Sequence, residues 1–298
     1  MPESVKFLPQ RDLLSFEEIE RFVRILAPLG VDRIRLTGGE PLVRSELPTL
    51  IEMLKRVNGI DDVALTTNGI LLQSQAQALR RAGLDRLNIS LDTIDPELFH
   101  QVTRRNMLPR VLGGIAAAQA AGFDRIRINA VPIPTISDDQ LIQLAKFARA
   151  QKLELRFIEF MPLDADQHWE QEHVRTGKAL LELIEREIAP LIPVQRLDDS
   201  QPATDFRYSD SDVRVGFINS VSQPFCATCN RMRITAEGKF RNCLFSNAEW
   251  DLKAPLRFGT DQQVIDVVRE AINAKKAGHG TNDLSFDRPD KAMFQIGG

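Results

Sequence analysis

The three cysteines of the chain lie in one short segment, FCATCNRMRITAEGKFRNCLF (225–245). Cys226 and Cys229 have the Cys-x2-Cys spacing of a metal chelate, and Cys243 follows after thirteen further residues. A structural zinc ion takes four ligands, so it would need a carboxylate or a histidine from elsewhere in the chain. An iron–sulfur cluster held by three cysteines would instead leave one iron open to a substrate atom. The segment therefore predicts a metal centre, and its spacing leaves both kinds open.

Arginines stand close to these cysteines and also alternate along two predicted strands. Arg231 and Arg233 follow Cys229 at a spacing that points both side chains the same way along a strand. Arg33 with Arg35, and Arg125 with Arg127, form the alternating pairs. Such arginines either face solvent or, if they face inward, need an anion partner. A triphosphate would supply one, because guanidinium groups match phosphate oxygens in geometry.

The elements that must position these residues alternate between strand and helix. Strands are predicted in DRIRLTG (32–38), DVALTTN (62–68), RLNISLD (86–92), RIRINAVPI (125–133) and ELRFIEF (154–160). Helices are predicted after the capping box of Ser15 and Glu18, over 48–57, and over 109–121 with a stop at Gly122. This alternation implies parallel strands with right-handed crossovers. Without a glycine-rich dinucleotide fingerprint, it favours an α/β fold of the barrel or partial-barrel type over residues 1–194. The polar stretch 195–212 is predicted as a loop that opens a smaller C-terminal region, 195–298.

Polar residues follow the C-terminal ends of the predicted strands, where barrels of this kind carry their chemistry. They are GGEP (38–41), TTNG (66–69), SLD (90–92), RIN (127–129) and EFM (159–161). The glycine pair lets backbone approach a ligand, and Glu40 is placed to receive an ammonium group. Each motif alone is also typical of an ordinary loop. Five of them on one rim favour a binding site.

Composition excludes several classes of function. A net charge of -3, from 38 basic and 41 acidic residues, gives no electrostatic footprint for nucleic acid or a membrane surface. No apolar run reaches the roughly 18–20 residues of a membrane span, and MPESVKFLPQ lacks the features of a signal peptide. An odd number of cysteines argues against a secreted disulfide scaffold. We therefore expect a cytoplasmic protein.

The motifs TGGEP, TTNG, NISLD, RFIEFM and FCATCNRMR, with the terminal pair Gly297-Gly298, together resemble the GTP 3′,8-cyclases. This family, also called molybdenum cofactor biosynthesis protein A, belongs to the radical S-adenosylmethionine (SAM) superfamily. The resemblance implies an incomplete TIM-like barrel closed by a C-terminal region with an auxiliary [4Fe–4S] cluster. It also implies conversion of GTP to (8S)-3′,8-cyclo-7,8-dihydroguanosine 5′-triphosphate. In that reaction a SAM-derived radical takes a hydrogen from the ribose, whose carbon then attacks the guanine ring.

The resemblance assigns a role to each matching position. The implied SAM contacts are Gly39, Ser90 and Met161. The implied GTP contacts are Arg35, Thr66, Arg127, Arg231, Met232 and Arg233, of which Arg231 and Arg233 are also expected to act in catalysis. The implied cluster ligands are Cys226, Cys229 and Cys243, with the guanine of GTP at the open iron. Position 127 is more often lysine in relatives, and the terminal glycine pair is expected to reach the active site.

The family's first cluster is held by a Cys-x3-Cys-x2-Cys loop, and this sequence has no cysteine before Cys226. That loop is typically followed by Met-Pro-Glu, and the chain begins Met1-Pro2-Glu3. A late start or truncation, a paralogue without radical chemistry, and a partner chain that supplies the cluster are the three explanations. We expect the chain as written to keep the auxiliary cluster and bind GTP, but to cyclise GTP only with that loop and its second [4Fe–4S] cluster present. The first barrel strand would be missing, which leaves the edge beside 32–38 exposed.

Expected partners are GTP, SAM, a reductase or other electron donor, the next enzyme of the pathway and a second copy of the chain. The alternative function is a non-catalytic GTP- or metal-binding paralogue with a structural zinc or a single cluster. A radical enzyme that acts on peptides is a third possibility, against which Arg231, Arg233 and the terminal glycines argue.

Overall fold

The structure is a computed structural model that describes residues 8–163, 169–196, 198–281, 286 and 288–296. Its main sheet has the strand order β1-β2-β3-β4-β5-β8-β7-β6. The strands are β1 (Arg33–Leu36), β2 (Asp62–Thr67), β3 (Arg86–Ser90), β4 (Ile126–Ala130), β5 (Glu154–Ile158), β6 (Leu191–Pro193), β7 (Thr204–Tyr208) and β8 (Arg214–Ile218). Strands β1 to β5 and β8 pair in parallel, and β6 and β7 add an antiparallel edge. This is the expected incomplete barrel, and all five predicted strands are present.

Helices separate the parallel strands. They are α1 (Phe16–Leu26), α2 (Leu47–Lys55), α3 (Leu72–Arg81), α4 (Pro96–Thr103), α5 (Leu108–Ala120), α6 (Asp138–Ala150) and α7 (Gly177–Glu187). The predicted capping box is confirmed, because the Ser15 hydroxyl accepts from the Glu18 backbone N–H and the Glu18 carboxylate accepts from the Ser15 N–H. Gly122, just beyond α5, has a φ of 80°, a left-handed conformation that glycine adopts without strain. Among the described residues, no helix is long and apolar enough to cross a membrane.

Strand register sorts the side chains of the sheet into a polar face and an apolar face. Asn88 of β3 pairs with Arg127 of β4, which pairs in turn with Glu154 of β5. One residue further along, Ile89 pairs with Ile128, and both are fully buried beneath the helices. Because paired residues share a face and successive residues alternate, the apolar positions form the core and the polar positions share the opposite side.

Residues beyond 194 complete the main sheet before the cysteine segment begins. The stretch 195–212, predicted as a loop, contains β7, in which Phe206 stacks edge-on against Phe217 of β8. The polar letters hid this strand because only two of its five residues, Asp205 and Tyr208, are buried, and one of them is charged. The predicted domain division between 194 and 195 therefore falls inside the eight-stranded sheet.

The C-terminal region follows β8. A small antiparallel sheet has the order β11-β10-β9, with β9 (Arg233–Ile234), β10 (Lys239–Arg241) and β11 (Trp250–Asp251). Helices α8 (Lys253–Phe258) and α9 (Asp261–Asn273) pack against α1, and the short α10 (Met293–Ile296) ends the described chain. At the other edge of the main sheet, β1 pairs within the described residues with β2 alone.

Candidate functional site

Arginines crowd the polar face of the sheet. Arg35 on β1 stands in the same row as Ala64 and Arg86, and Arg127 stands two residues further along, on the same face. Burial, followed by repulsion from Arg86, Arg156, Arg127 and Arg231, lowers the pKa of Arg35 to about 10. The Arg35 side chain is nevertheless open to water. Protein therefore surrounds it without covering it, as in the wall of a cavity.

Several of these arginines already have carboxylate partners. Arg86 forms a two-pronged ion pair with Asp62, and Arg127 lies 3.0 Å from Glu154. Arg156 lies 2.7 Å from Glu154 and 3.2 Å from Asp205. Although burial would raise the pKa of Glu154, the charges of Arg156 and Arg127 hold it below its usual value. Arg35, in contrast, has no carboxylate within 4 Å among the described residues.

The cysteine segment brings a second group of cations to the site. Arg231 donates through Nη2 to Cys229 Sγ at 3.3 Å, and its guanidinium lies 4.8 Å from the centre of the Phe225 ring. Arg233, on β9, likewise has no carboxylate within 4 Å in the described part of the chain. Burial, followed by repulsion from Arg231, lowers the pKa of Arg233 to about 10. Met232, between these two arginines in sequence, is half-buried and packs against the hydrophobic core.

The three cysteines are free, half-buried thiols with different environments. Burial raises the pKa of Cys226, and the nearby charges of Cys243 and Cys229 raise it further. Although burial acts in the same direction on Cys229, the backbone N–H and the guanidinium of Arg231 lower its pKa to about 7. The segment therefore places one readily ionised thiol beside Arg231, and the charges of Cys229 and Cys243 act on Cys226.

The residues around the thiols bear on the choice between zinc and a cluster. His279 is the histidine nearest to them, but its Nε2 lies 3.0 Å from the Ser220 carbonyl and its Nδ1 accepts from the Thr281 N–H. Across the described residues, no three His, Cys, Asp or Glu side chains stand close enough together to hold a single metal ion. Three thiols are the ligand set of a [4Fe–4S] cluster with one open iron, whereas a structural zinc ion takes four protein ligands. The donor set fits a cluster better than a zinc ion.

The rim formed by the strand ends is braced internally. Glu40 accepts from Thr67 Oγ1 at 2.7 Å, from the Asn68 N–H at 2.7 Å and from the Leu42 N–H at 3.0 Å. The Glu40 carboxylate thus ties the GGEP turn to the TTNG turn and keeps about one acceptor site on Oε2 open, so its contact with a ligand ammonium stays a prediction. Sequence could not show this, since the bond joins turns 27 residues apart.

The remaining predicted rim residues lie at the C-terminal ends of parallel strands. Gly39 follows β1 in an exposed turn, and Ser90 ends β3 with its side chain exposed. Met161 lies three residues beyond β5 and is half-buried. Thr66 on β2 shares a row with Asn88, whose amide lies 3.4 Å from the Thr66 hydroxyl. The predicted SAM and GTP contacts on the barrel thus occupy one end and one face of the same sheet.

A buried carboxylate that sequence reasoning left without a role joins the barrel to the cysteine segment. Glu159 is 1% exposed, and one carboxylate oxygen accepts from the Val221 and Ser222 backbone N–H groups at 2.8 Å each. The other accepts from the Gly177 N–H at 3.1 Å and from the Ser222 hydroxyl at 2.5 Å. Glu159 therefore fixes the start of the loop that leads to Cys226. The sequence signal that could have identified Glu159 is its position between the end of β5 and Met161.

The C-terminal tail returns to the same rim. The Met293 N–H donates to the Leu163 carbonyl at 3.0 Å, two residues beyond Met161, and Ile296 is buried. Lys291 anchors the tail to Glu249 at 2.7 Å. Gly297 and Gly298, for which a place in the active site is expected, lie outside the described residues.

The sequence of this chain is similar to known protein families along nearly its whole length. Residues 2–148 match the radical SAM superfamily, and residues 153–281 match the family described as Molybdenum Cofactor Synthesis C. A GTP 3′,8-cyclase of Rhodopirellula baltica is 44% identical over 303 aligned positions, which cover 100% of this chain and 84% of that protein. One from Streptomyces coelicolor is 40% identical and covers 100% of this chain and 88% of its own.

Solved structures show the same fold at low identity. Streptococcus suis SuiB bound to the precursor peptide SuiA matches 97% of this chain and 69% of its own, with a TM-score of 0.59 and 15% identity. At that identity the likeness concerns the fold alone. The sequence relatives confirm the resemblance drawn from the motifs. The chain belongs to the GTP 3′,8-cyclase family of radical SAM enzymes, and this family serves molybdenum cofactor biosynthesis.

Proposed function

We propose that GTP binds across the polar face of the sheet, between the barrel and the cysteine segment, and that the protein acts as a GTP 3′,8-cyclase when the Cys-x3-Cys-x2-Cys loop and its cluster are also present. The observation that carries this proposal is that Arg35 and Arg233 both lie close enough to Arg231 to be affected by its charge. One stands on β1 and the other on β9, and neither has a carboxylate partner among the described residues. Each has a pKa lowered to about 10 by burial and by other arginines, Arg231 among them. A surface that holds unpaired cations together favours a ligand with several negative charges.

Arg127 and Thr66 extend this surface on the barrel side. Arg127 keeps one ion pair with Glu154 and faces the same side as Thr66, since both pair with Asn88. Arginine in place of the family's usual lysine keeps the charge and offers more donors to phosphate oxygens. Arg231 and Arg233 complete the surface from the C-terminal side, where they are placed to orient the triphosphate and the ribose for reaction.

S-adenosylmethionine would bind on the rim, at Gly39, Ser90 and Met161. Membership of the radical SAM superfamily implies both this cofactor and a [4Fe–4S] cluster. In support, the three residues follow β1, β3 and β5, so they lie at the strand ends where barrels of this type bind ligands. Exposed backbone at Gly39 allows close approach by the methionine moiety, and the Met161 thioether supplies a polarisable apolar contact for the adenine.

The auxiliary cluster would be held by Cys226, Cys229 and Cys243. When bound, such a cluster would supply an open iron for the guanine ring, whereas the superfamily cluster that reduces SAM would need other thiol ligands, since residues 1–225 contain no cysteine. The chain's own contribution is to present the thiols beside Arg231, to hold GTP between barrel and cysteine segment, and to exclude water from the space between them.

The test combines iron content with GTP binding. We expect anaerobic reconstitution to give a brown protein with about four irons per chain at the three cysteines and no zinc. GTP should bind more tightly than guanosine, and R233L should weaken GTP binding while leaving guanosine binding nearly unchanged. R214L, at an exposed position of β8, is the matched control. A colourless protein with one zinc, or equal affinity for GTP and guanosine, would instead support the non-catalytic paralogue.

A further inference from the structure

The C-terminal end of α9 contacts the surroundings of all three cysteines. Asn242, the neighbour of Cys243, donates through its side-chain amide to the Ala271 carbonyl in the last turn of α9 at 2.7 Å. Beyond the helix, the His279 backbone N–H donates to the Cys226 thiol. The third cysteine, Cys229, is contacted by the side chain of Lys275, which follows the same helix end. The segment 271–279 therefore contacts all three cysteines or their immediate neighbours.

Lys275 uses its ammonium group entirely on the cysteine segment. Its Nζ lies 2.8 Å from the Cys229 carbonyl oxygen, 3.2 Å from the Arg231 carbonyl oxygen and 3.5 Å from Cys229 Sγ. These three contacts match the three donors of an ammonium group. No carboxylate lies within 4 Å of Lys275 in the part of the chain that the structure describes. Its charge is therefore directed at a turn whose only ionisable acceptor is the Cys229 thiol.

This geometry differs from the solvated helix face expected of a Lys-Lys pair. Lys275 is half-buried, and its backbone N–H is held by the Ile272 carbonyl at 3.0 Å. Lys276, the next residue, is exposed. The two lysines thus share sequence context and charge but differ in contact with the cysteines, which makes them a natural pair for comparison.

We propose that Lys275 is a positioning residue that sets both the Cys229–Arg231 turn and the electronic environment of the cluster bound there. The two carbonyl contacts fix the turn that carries Cys229 and aims Arg231 at the substrate. The third contact places an N–H donor and a positive charge beside the Cys229 sulfur. Hydrogen bonds and positive charge at cluster sulfurs favour the reduced cluster, so Lys275 raises its midpoint potential.

This inference rests on the proposed function, because it assigns a role at the proposed cluster. One arm of its test therefore uses protein without iron. Hydrogen exchange of the amides in 226–234 is measured for wild type, K275M, K275R and K276M. We expect faster exchange in K275M, wild-type exchange in K276M, and largely restored protection in K275R. Thermal unfolding of each variant separates a local effect from a general loss of stability.

The second arm uses the reconstituted full chain and a readout that a purely structural role would not change. We expect the midpoint potential of the cluster to fall in K275M, to recover in K275R and to stay unchanged in K276M. GTP affinity should fall in K275M, because Arg231 loses its fixed position, and should recover in K275R. Failure of the wild-type protein to take up iron would refute the proposed cluster, while the exchange arm would still decide whether Lys275 positions the turn. Unchanged exchange in K275M, or an unchanged potential with iron bound, would overturn the inference.

Discussion

Replacing Glu159 by glutamine should destabilise the protein far more than its small chemical change suggests. The carboxylate accepts four hydrogen bonds, three from backbone N–H groups and one from the Ser222 hydroxyl. Glutamine keeps the shape but carries one acceptor oxygen and one NH2 group. The best placement keeps the oxygen on Val221 and Ser222 and turns the NH2 toward the hydroxyl of Ser222, which can rotate to accept. The Gly177 N–H then has no acceptor.

The size of the effect follows from this count. Two bonds that lose charge assistance each weaken by about 1 kcal/mol, and one buried N–H left without an acceptor costs about 1–3 kcal/mol. The sum is about 3–5 kcal/mol of unfolding free energy. With an unfolding entropy of about 2.1 cal/mol/K per residue, this 298-residue chain shifts by about 1.6 °C per kcal/mol, so the melting temperature should fall by about 5–8 °C.

Urea unfolding and thermal melts of E159Q and of a control, E182Q, measure this directly. Glu182 is exposed and lies 4.0 Å from its lysine partner, so E182Q should stay within about 0.5 kcal/mol of wild type. A loss below about 1 kcal/mol in E159Q would refute the hydrogen-bond reasoning.

Three further predictions concern charged groups. R233L should weaken GTP binding about 10–100-fold in an equilibrium titration, because one charge-assisted contact to phosphate is worth about 1.5–3 kcal/mol. A wild-type affinity for GTP in R233L would refute the proposed role of Arg233. Burial raises the pKa of Asp92 from 3.8 to about 6, so the wild-type protein loses stability as the pH rises from about 4 to 6. In urea unfolding, D92N should therefore be more stable than wild type at pH 7 by up to about 3 kcal/mol. Near pH 4 the two proteins should have equal stability. R33Q removes the exposed ion pair between Arg33 and Asp198, so thermal unfolding should show a loss of less than about 1 kcal/mol in unfolding free energy. A larger loss would mean that this contact helps to hold the two edges of the sheet together.

The sequence predicted the parallel part of the fold because that part is encoded locally. Runs such as RLNISLD combine branched side chains with a turn residue, and β3 duly occupies 86–90 within the predicted 86–92. Register then places Arg35 and Arg127 on the polar face, a point that alternation within one strand could not decide.

What the sequence could not show depends on partners far apart along the chain. The bond between Lys275 and Cys229 joins residues 46 apart, and that between Glu159 and Ser222 joins residues 63 apart. No local pattern marks either pair, and a Lys-Lys pair near a helix end usually lies in solvent. The residue assignments for GTP, SAM and the cluster stay predictions, because each concerns a ligand that the polypeptide alone does not display.

The pairing of Arg127 with Asn88 and Glu154 also protects the protein against folding errors. If β4 slipped by one residue, Arg127 would turn into the layer beneath the helices, and Ile128 would emerge among the charges. Such a molecule would bury a cation without a partner and expose an aliphatic side chain, so it would be far less stable than the correct alignment. The residues proposed to bind GTP thus also fix the alignment of β4, and a correctly folded chain carries them together on one face of the sheet.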